Sequence, residues 1–317
     1  MRVGVPRALA FFRFHPGWDG FLRSLGIAVV VSPPSNRSIL EAGLPYTVPE
    51  ACLPLKLFFG HVRALVGKVD ALLVPSIQRF AAGSTNCAKL IGLPDLLQAT
   101  MEDLPPLIAP DIDLSAGSAA LWKAAFEVGK VLGRNPIQLR EAAQAGWAAY
   151  LRARAAMLEG SLTPAAFDQP IRAPSPPPGG PTVAVVGHPY NLYDPFVNHN
   201  LLARLTRLGV DVLTPERLGP WPSAEYWTFE YELVGATRLA MEREQVEGLI
   251  AVAAFGCGPD GVILEEVRSL AGQAGLPAMV LTVDEHSGEA GWVTRVEAFV
   301  DMLLWRRRGE HVRASEG

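Results

Sequence analysis

Cysteine is scarce in this sequence, because only three of its 317 residues are cysteines. Three is an odd number and too few for a disulfide framework in a chain of this length, which favours a reducing compartment. Long hydrophobic runs are also missing, since no segment reaches the roughly 18 consecutive apolar residues that a membrane-spanning helix needs. Residues 1–6 have no long apolar stretch behind their charge, so we expect no secretion signal. These absences together predict a cytoplasmic protein with no membrane partner.

The sequence also lacks the charge patterns and motifs of several other protein classes. Its formal net charge is -4 at pH 7, and no dense run of lysine or arginine occurs before the C-terminal tail. Nucleic-acid duplexes bind to basic surfaces, so nucleic acid is not an expected partner. The nucleotide-binding pattern G-x-x-x-x-G-K-[ST] is absent, which argues against nucleotide hydrolysis by this chain.

Short apolar or β-branched runs alternate with helical spacing in the first part of the chain. Residues 2–6, 27–32 and 71–76 have the composition of buried strands and end in proline or serine. Between them, residues 11–25 and 53–66 repeat apolar side chains at helical spacing. Such alternation is typical of a parallel sheet covered by helices. With 49% hydrophobic residues the chain can bury a large core, and its length favours two domains.

The same strand and helix pattern returns in the second part of the chain. Strand-like runs occupy residues 183–186, 210–213, 249–254 and 278–283, and helical segments occupy residues 198–208, 230–244, 261–274 and 289–306. In both parts a proline follows the first strand, Pro6 in one and Pro189 in the other, and Leu-Gly precedes the second strand. We therefore predict two Rossmann-like parallel-sheet domains. Duplication of one α/β unit is a hypothesis, because the common β-α-β pattern also produces such short matches by accident.

A helical insert and a linker separate the two predicted domains. No convincing strand pattern occurs between residues 95 and 168, and Ala, Leu and Glu dominate residues 121–160, as is typical of helices. Residues 172–182 are rich in proline and glycine and cannot sustain a helix or a strand. The prediction is an N-terminal α/β domain (1–110), a helical insert (111–171), a Pro/Gly linker (172–182) and a C-terminal α/β domain (183–317).

Each cysteine lies just before a predicted helix and beside a residue that interrupts secondary structure. Cys52 and Cys257 each stand two residues before a proline, and Cys87 directly follows Asn86. Amides and the dipole at a helix start favour the thiolate, which is the form that binds metal. A single cysteine is more often a small buried apolar residue, but core packing alone does not explain why all three cysteines precede helices. Because ligands bind at the carboxyl ends of parallel strands, we predict one shared site there.

Three thiolates from separate loops suit a [4Fe-4S] cluster in which one iron has no cysteine ligand. Such an open iron can act as a Lewis acid or pass one electron to a bound carbonyl. Zinc held by three cysteines and one histidine is the competing metal, yet structural zinc sites usually contain C-x-x-C pairs and this sequence has none. We therefore predict a [4Fe-4S] cluster as the cofactor, with Cys52, Cys87 and Cys257 as the cofactor-binding and metal-binding residues.

A glycine-rich pattern around Cys257 offers a different interpretation. Residues 256–261 spell G-x-G-x-x-G after a predicted strand and before a predicted helix, with Asp284 at the end of the next strand. This context would suit a dinucleotide. However, the pattern follows the third strand of its domain rather than the first, and Pro259 lacks one of the amides that would hold phosphate. A nucleotide-binding α/β protein is therefore kept as an alternative.

Several polar residues near predicted strand ends could line a pocket, but each also has a purely structural interpretation. Residues 284–289 could bind metal or relay protons, or could cap the helix that follows. Residues 188–195 could line a pocket or hold a loop, and His61 is more typical of a hydrogen-bonded core histidine than of a ligand. The candidate pocket residues are Arg7, His188, Tyr190, Asn191, Asp194, Glu285 and His286.

Six stretches of the chain carry a resemblance to a known family: residues 4–9, 50–54, 87–95, 187–194, 256–260 and 284–299. Together they resemble the proteins described as acyl-CoA dehydratase activase-related, which are similar to the cluster-binding subunits of 2-hydroxyacyl-CoA dehydratases. In those dehydratases three cysteines per subunit hold a [4Fe-4S] cluster with an open site, and a separate ATP-hydrolysing activase supplies an electron. The resemblance implies the same ligand set here, at Cys52, Cys87 and Cys257.

This resemblance implies an iron-sulfur protein of anaerobic metabolism that performs low-potential one-electron chemistry on a small, thioester-like substrate. An ATP-dependent activase would be its partner and electron donor, and a homodimer that joins two clusters is left open. The chain could be a dehydratase-like or reductase-like enzyme. A non-catalytic cluster carrier or scaffold for a dehydratase and activase system is the alternative from a different class.

Overall fold

Two parallel β-sheets of four strands each form the framework of the protein. The computed structural model describes residues 1–79, 83–113, 115, 118–167, 179–219 and 228–315. The first sheet contains β1 (Arg2–Val5), β2 (Ala28–Val31), β3 (Ala71–Leu73) and β5 (Leu107–Ile108), in the order β2-β1-β3-β5. Two further strands, β4 (Ser76–Arg79) and β6 (Asp111–Asp113), pair with each other in parallel.

The second sheet contains β7 (Thr182–Gly187), β8 (Asp211–Leu213), β9 (Val246–Ala254) and β10 (Ala278–Val283), in the order β8-β7-β9-β10. All neighbouring strands in both sheets run parallel. In each sheet the second strand along the chain lies on one side of the first, and the third and fourth lie on the other side. The predicted α/β class with parallel sheets is confirmed. Duplication of one unit stays a hypothesis, although the two sheets share this strand order.

Helices connect the strands and cover the sheets. In the first part of the chain they are α1 (Phe11–Ser24), α2 (Arg37–Gly43), α3 (Leu53–Leu65), α4 (Ala88–Ile91), α5 (Leu93–Thr100), α6 (Ser118–Val131) and α7 (Pro136–Leu158). In the second part they are α8 (Pro189–Tyr193), α9 (Leu201–Arg207), α10 (Pro215–Leu218), α11 (Thr228–Met241), α12 (Gly258–Gln273) and α13 (Glu289–Ser315). Short 3-10 helices occupy Leu44–Tyr46 and Pro164–Ala166.

Strand β7 shows how the sheets share a core. Val183 and Val185 belong to a hydrophobic cluster that also contains Val3 of β1, whereas Ala184 and Val186 belong to a second cluster with residues of α11 and α12. Successive side chains of a strand point to opposite faces, so this strand is buried on both sides. A parallel strand covered on both faces is apolar throughout, as the sequence of β7 is. The first cluster joins the two sheets in one continuous core.

The expectation that residues 95–168 contain no strand is wrong, because β5 and β6 lie there. Strand β5 has two residues and β6 has three, so neither is long enough to show an alternating pattern in the sequence. Each supplies one deeply buried isoleucine, Ile108 and Ile112, to a hydrophobic cluster. The expectation of helices at residues 121–160 agrees with α6 and α7.

Glycines let α7 pack closely against α1. A Cβ atom at Gly20 of α1 would lie 2.8 Å from the Cβ atom of Ala149, and one at Gly146 of α7 would lie 2.7 Å from the carbonyl oxygen of Gly17. Larger residues at these positions would force the helix axes apart. Helix α7 of the predicted helical insert therefore packs directly against α1, the helix that connects β1 and β2 of the first sheet.

The predicted domain boundaries stay predictions. Residues 172–178 of the predicted linker lie outside the described residues, and β7 begins at Thr182 at its far end. Within the ranges given above, no helix has both the length and the apolar composition needed to cross a membrane.

Candidate functional site

The three cysteines stand at the N-terminal ends of three helices, as the sequence predicts. Cys52 is the residue before α3, Cys87 the residue before α4, and Cys257 the residue before α12. Proline occupies the first turn of α3 and of α12, where its missing N–H costs nothing. None of the three cysteines is in a disulfide, and all three are of intermediate exposure.

One cavity of about 320 Å³ brings the three cysteines together. Cys52, Cys87 and Cys257 all line it, although they come from three separate loops in two different parts of the chain. The other lining residues are Leu9, Leu55, Ala88, Lys89, Leu90, His188, Tyr190, Phe229, Gly256, Gly258 and Pro259. The walls are thus mainly apolar, and their polar side chains are one ammonium, one imidazole, one phenol and three thiols.

The cavity lies where the fold class favours ligand binding. In the second sheet the strand order reverses between β7 and β9, and His188 directly follows β7 while Cys257 follows the end of β9. Ligands of open parallel sheets bind outside the carboxyl ends of the strands at such a reversal. Cys52 lies in the same region because of the direction of α3. This helix ends shortly before β3 begins, so the start of α3 lies at the other edge of the sheet, where the strands have their carboxyl ends.

Direct contacts hold the loop that carries Cys52 against the loops that follow the strands of the second sheet. Gly256 has a φ of +75°, and a Cβ atom there would lie 2.8 Å from the carbonyl oxygen of Glu50, close to Cys52. Lys89 Nζ donates to the carbonyl oxygen of Gly256 at 3.5 Å. Lys56 is 2% exposed and forms an ion pair with Glu285, and its Nζ also donates to the carbonyl oxygen of Pro49 at 2.8 Å. These contacts fix the loops that carry Cys52 and Cys257 relative to each other.

We expect Gly256→Ala to lower the free energy of unfolding by about 1–3 kcal/mol, because alanine must adopt a left-handed conformation and also meets the Glu50 carbonyl group. The measurement is urea denaturation. Gly261→Ala in α12 is the matched control: its Cβ atom meets nothing within 4 Å, and alanine in a helix interior should stabilise the protein by roughly 0.5–1 kcal/mol. Equal stability of Gly256→Ala and Gly261→Ala would contradict the close contact at Gly256.

The expected bias of the thiols toward thiolate is reversed at Cys52. Burial raises the pKa of the Cys52 thiol above its usual value, and the nearby Cys87 adds to the rise. The backbone amide of Leu55 and the positive charge of Lys89 lower the pKa by less. In an apolar cavity the loss of hydration outweighs the helix amides, so the Cys52 thiol stays protonated near neutral pH. A metal that binds there must displace this proton.

His188 and Tyr190 are the two candidate pocket residues that the structure places in the cavity. His188 Nδ1 forms a hydrogen bond with the hydroxyl group of Tyr190, and the His188 ring lies 5.3 Å from the ring of Phe229. His188 Nε2 lies 2.9 Å from Oδ1 of Asp260. Donor atoms of His188, Cys257 and Asp260 all lie within 4.8 Å of one another. Sequence reasoning missed Asp260, and its only signal was an acidic residue three positions after Cys257.

Arg7 and Asp194 belong instead to a buried chain of hydrogen bonds outside the residues that line the cavity. The Arg7 N–H donates to Ser32 Oγ at 2.8 Å, and Ser32 Oγ lies 2.9 Å from Nδ1 of His61. His61 Nε2 lies 2.9 Å from Ser35 Oγ, which in turn donates to the carboxylate of Asp194. These hydrogen bonds thus connect Asp194 of the second part of the protein with four residues of the first. The interpretation of His61 as a hydrogen-bonded core histidine agrees with this placement.

Burial sets the protonation of His61 and Asp194, the two titratable side chains in this series of hydrogen bonds. It lowers the pKa of His61 to about 3, with a further contribution from the Arg7 guanidinium, so the imidazole is neutral. Burial raises the pKa of Asp194 to about 6, against the lowering by Ser35, by the backbone amides of Phe196 and Val197, and by Arg7. Since the Arg7 amide can only donate and ionised Asp194 can only accept, each group between them passes one hydrogen bond toward Asp194.

The remaining candidate pocket residues have structural roles or lie outside the cavity. Glu285 is the ion-pair partner of Lys56, and the side chain of His286 is 86% exposed. Asp284 Oδ1 accepts hydrogen bonds from the His286 N–H and from Ser287 Oγ, as a capping residue does. Asn191 is fully buried, and neither atom of its amide group has a hydrogen-bond partner in the part of the chain that the structure describes.

Comparison with known protein families identifies where this chain belongs. None of the curated proteins compared with the chain matches it. The family model described as a CoA enzyme activase uncharacterised domain matches residues 2–218, a range that contains Cys52, Cys87 and His188 and ends before Cys257. The match covers more than half of the 317 residues. The chain therefore belongs to this CoA enzyme activase domain family, which agrees with the expected relation to the activase-related proteins of the acyl-CoA dehydratase system.

Proposed function

We propose that this protein holds a [4Fe-4S] cluster at Cys52, Cys87 and Cys257 and uses it for low-potential one-electron chemistry. The observation that carries the proposal is the convergence of three thiols, from three separate loops, on one cavity. Thiolates are the usual ligands of such clusters, and three of them leave one iron without a protein sulfur ligand.

The residues around the thiols suit such a group. Lys89 lines the cavity and lowers the pKa of Cys52, so its positive charge would offset the negative charge of the thiolates. Leu55, Leu90 and Phe229 supply apolar walls that limit access of water and oxygen. The contact of Gly256 with Glu50 holds two of the ligand loops together before any metal binds.

The cluster, when bound, supplies one-electron transfer and an open iron. The chain's own residues do the rest: the apolar walls exclude water, and Lys89 and His188 present positive charge or hydrogen bonds to a polar group of a ligand in the same cavity. A cavity of about 320 Å³ is near the small end of the usual range for ligand pockets, which fits a small acyl group beside the cluster better than a whole coenzyme A molecule. We propose a small thioester as the substrate class.

Membership in the CoA enzyme activase domain family supports an ATP-dependent activase as the electron donor. The test mixes anaerobically isolated protein with a reduced activase and ATP and records the EPR and absorption spectra. A reduced-cluster EPR signal that appears only with activase and ATP is expected. Protein that has no cluster absorption after reconstitution would refute the proposal. Protein that transfers its cluster to an acceptor but turns over no thioester would be a cluster carrier or scaffold instead.

A further inference from the structure

We propose that Leu9 limits the length of the acyl group that this protein binds, because its side chain separates the cavity of the three cysteines from a second, apolar cavity. The proposal rests on the proposed thioester substrate and names the residue that selects among such substrates. Leu9 lies in the loop between β1 and α1 and is 4% exposed. It is the residue that the linings of the two cavities share.

The second cavity lies at the carboxyl edge of the first sheet and has a volume of about 30 Å³. Val5 at the end of β1 and Leu73 at the end of β3 both line it. The strand order of the first sheet reverses between these two strands, and parallel sheets bind ligands at such a reversal. Each sheet therefore has a cavity at its own reversal, and Leu9 borders both.

The two cavities follow one another along the same helices. On α3, Leu55 lines the cavity of the cysteines, and Phe58 lines the second cavity. Residues three positions apart are neighbours on one face of a helix. Leu90 of α4 and Leu93 at the start of α5 are divided between the two cavities in the same way. A ligand that extends from the first cavity past Leu9 would therefore enter the second.

The walls of the second cavity suit an apolar group better than water. Phe11, Phe58 and Leu73 line it and are no more than 4% exposed, and the His15 ring is stacked on Phe11 with the ring centroids 4.4 Å apart. Water in a cavity needs polar partners, whereas apolar cavities stay dry and take small apolar ligands. The volume has room for about two groups the size of a water molecule, which corresponds to about two methylene groups of an acyl chain.

The backbone of Leu9 is held in an uncommon conformation. Its φ of +51° lies in the left-handed region, which is unfavourable for leucine and easy for glycine. Such conformations persist where the surrounding structure holds them, and they are frequent at ligand-binding sites. A large apolar side chain therefore stands at the boundary of the two cavities in spite of a backbone that favours glycine, as a residue that selects by size would.

The test measures the binding of acetyl-, butyryl-, hexanoyl- and octanoyl-coenzyme A to full-length protein by isothermal titration calorimetry, with both the reconstituted and the metal-free protein. In the wild type, affinity should rise with acyl length until the chain meets Leu9 and then level off. In Leu9→Ala it should rise for about two further methylene groups, by about fourfold for each, since burial of one methylene group contributes roughly 0.8 kcal/mol.

Ala10→Leu is the matched control, because Ala10 lines the second cavity and does not line the first. Alone, it should leave the length profile of the wild type unchanged. Combined with Leu9→Ala, it should fill the second cavity and abolish the gain for the longer acyl groups. Leu9→Gly suits the left-handed backbone and provides the same measurement where Leu9→Ala does not fold.

Thioesters that bind with the same length profile in the wild type, Leu9→Ala and Leu9→Gly would overturn the role of Leu9 and leave the proposed function standing. A gain in Leu9→Ala that survives the addition of Ala10→Leu would also overturn it, because the extra space would then lie elsewhere. Absence of thioester binding in every protein would refute both the proposed substrate class and this proposal. The iron content of the reconstituted samples reports the proposed cluster separately.

Discussion

Serine at any one of Cys52, Cys87 or Cys257 is expected to lower the iron bound by the protein roughly tenfold or more. Each thiol comes from a different loop, and no neighbouring cysteine can replace it, because the sequence has only these three. A serine hydroxyl group is a poor ligand for the iron of a cluster, and loss of a direct ligand exceeds the 10–100-fold cost of losing a supporting hydrogen bond. Iron and sulfide analysis after anaerobic reconstitution measures the effect.

His286→Ala is the matched control for the cysteine series. His286 was a candidate pocket residue, but its side chain is exposed and does not line the cavity, so the variant should keep the iron content of the wild type. Serine replaces only the sulfur atom with oxygen, so we expect each serine variant to keep the fold. Circular dichroism of each variant checks this. Full iron content in Cys257→Ser would show that the second part of the chain contributes no ligand.

The buried chain from Arg7 to Asp194 should produce two opposite dependences of stability on pH. The pKa of Asp194 is raised from 3.8 to about 6 by folding, so the folded state binds more protons between these values and becomes more stable as the pH falls. The pKa of His61 is lowered from 6.5 to about 3 by folding. Between these values the unfolded state binds more protons, so the protein becomes less stable as the pH decreases. Between about pH 6 and pH 4 the two effects oppose each other in the wild-type protein.

Removing one group should uncover the other. Relative to the wild type, Asp194→Asn should lose about 1.4 kcal/mol of unfolding free energy for each pH unit from about pH 6 to pH 4, because only the His61 contribution remains. His61→Gln should gain about the same amount per pH unit over the same range. The slopes come from urea denaturation at a series of pH values, so a constant destabilisation of either variant does not matter.

Glu102→Gln is the control for the pH series, because Glu102 is an exposed carboxyl group outside the chain of hydrogen bonds. Its stability should run parallel to that of the wild type at every pH. Parallel curves for Asp194→Asn would contradict the raised pKa of Asp194, and parallel curves for His61→Gln would contradict the lowered pKa of His61. The same two helices connect this series of hydrogen bonds to the cavity. Helix α3 begins next to Cys52 and contains His61. Helix α8 begins next to His188 and ends one residue before Asp194.

The main strands and the helix starts could be predicted because they depend on local features. Runs such as residues 27–32 and 278–283 are mainly apolar and are followed by a proline or an aspartate, and Pro54 and Pro259 mark the first turns of α3 and α12. Strands β5 and β6 could not be predicted, since two or three residues carry no periodicity. Their place depends on the neighbouring strands β3 and β4, with which they pair in parallel.

The site was predictable in its cysteines and not in its other polar groups. That three thiols at helix starts meet at one cavity follows from the common rule for parallel sheets. Glu285 pairs with Lys56 from 229 positions away, and Asp194 reaches Ser35 from 159 positions away, so no local pattern reveals either contact. Asp260 likewise could not be singled out, because its contact with His188 exists only in the folded protein.

The most direct test of the central claim is the iron and sulfide content of the full-length wild-type chain after anaerobic reconstitution, compared with the variant in which all three cysteines are serine. A shared [4Fe-4S] cluster predicts roughly four iron and four sulfide ions per wild-type chain, and none in the folded triple variant. A folded wild-type protein without iron, or a triple variant with the same iron content, would contradict it.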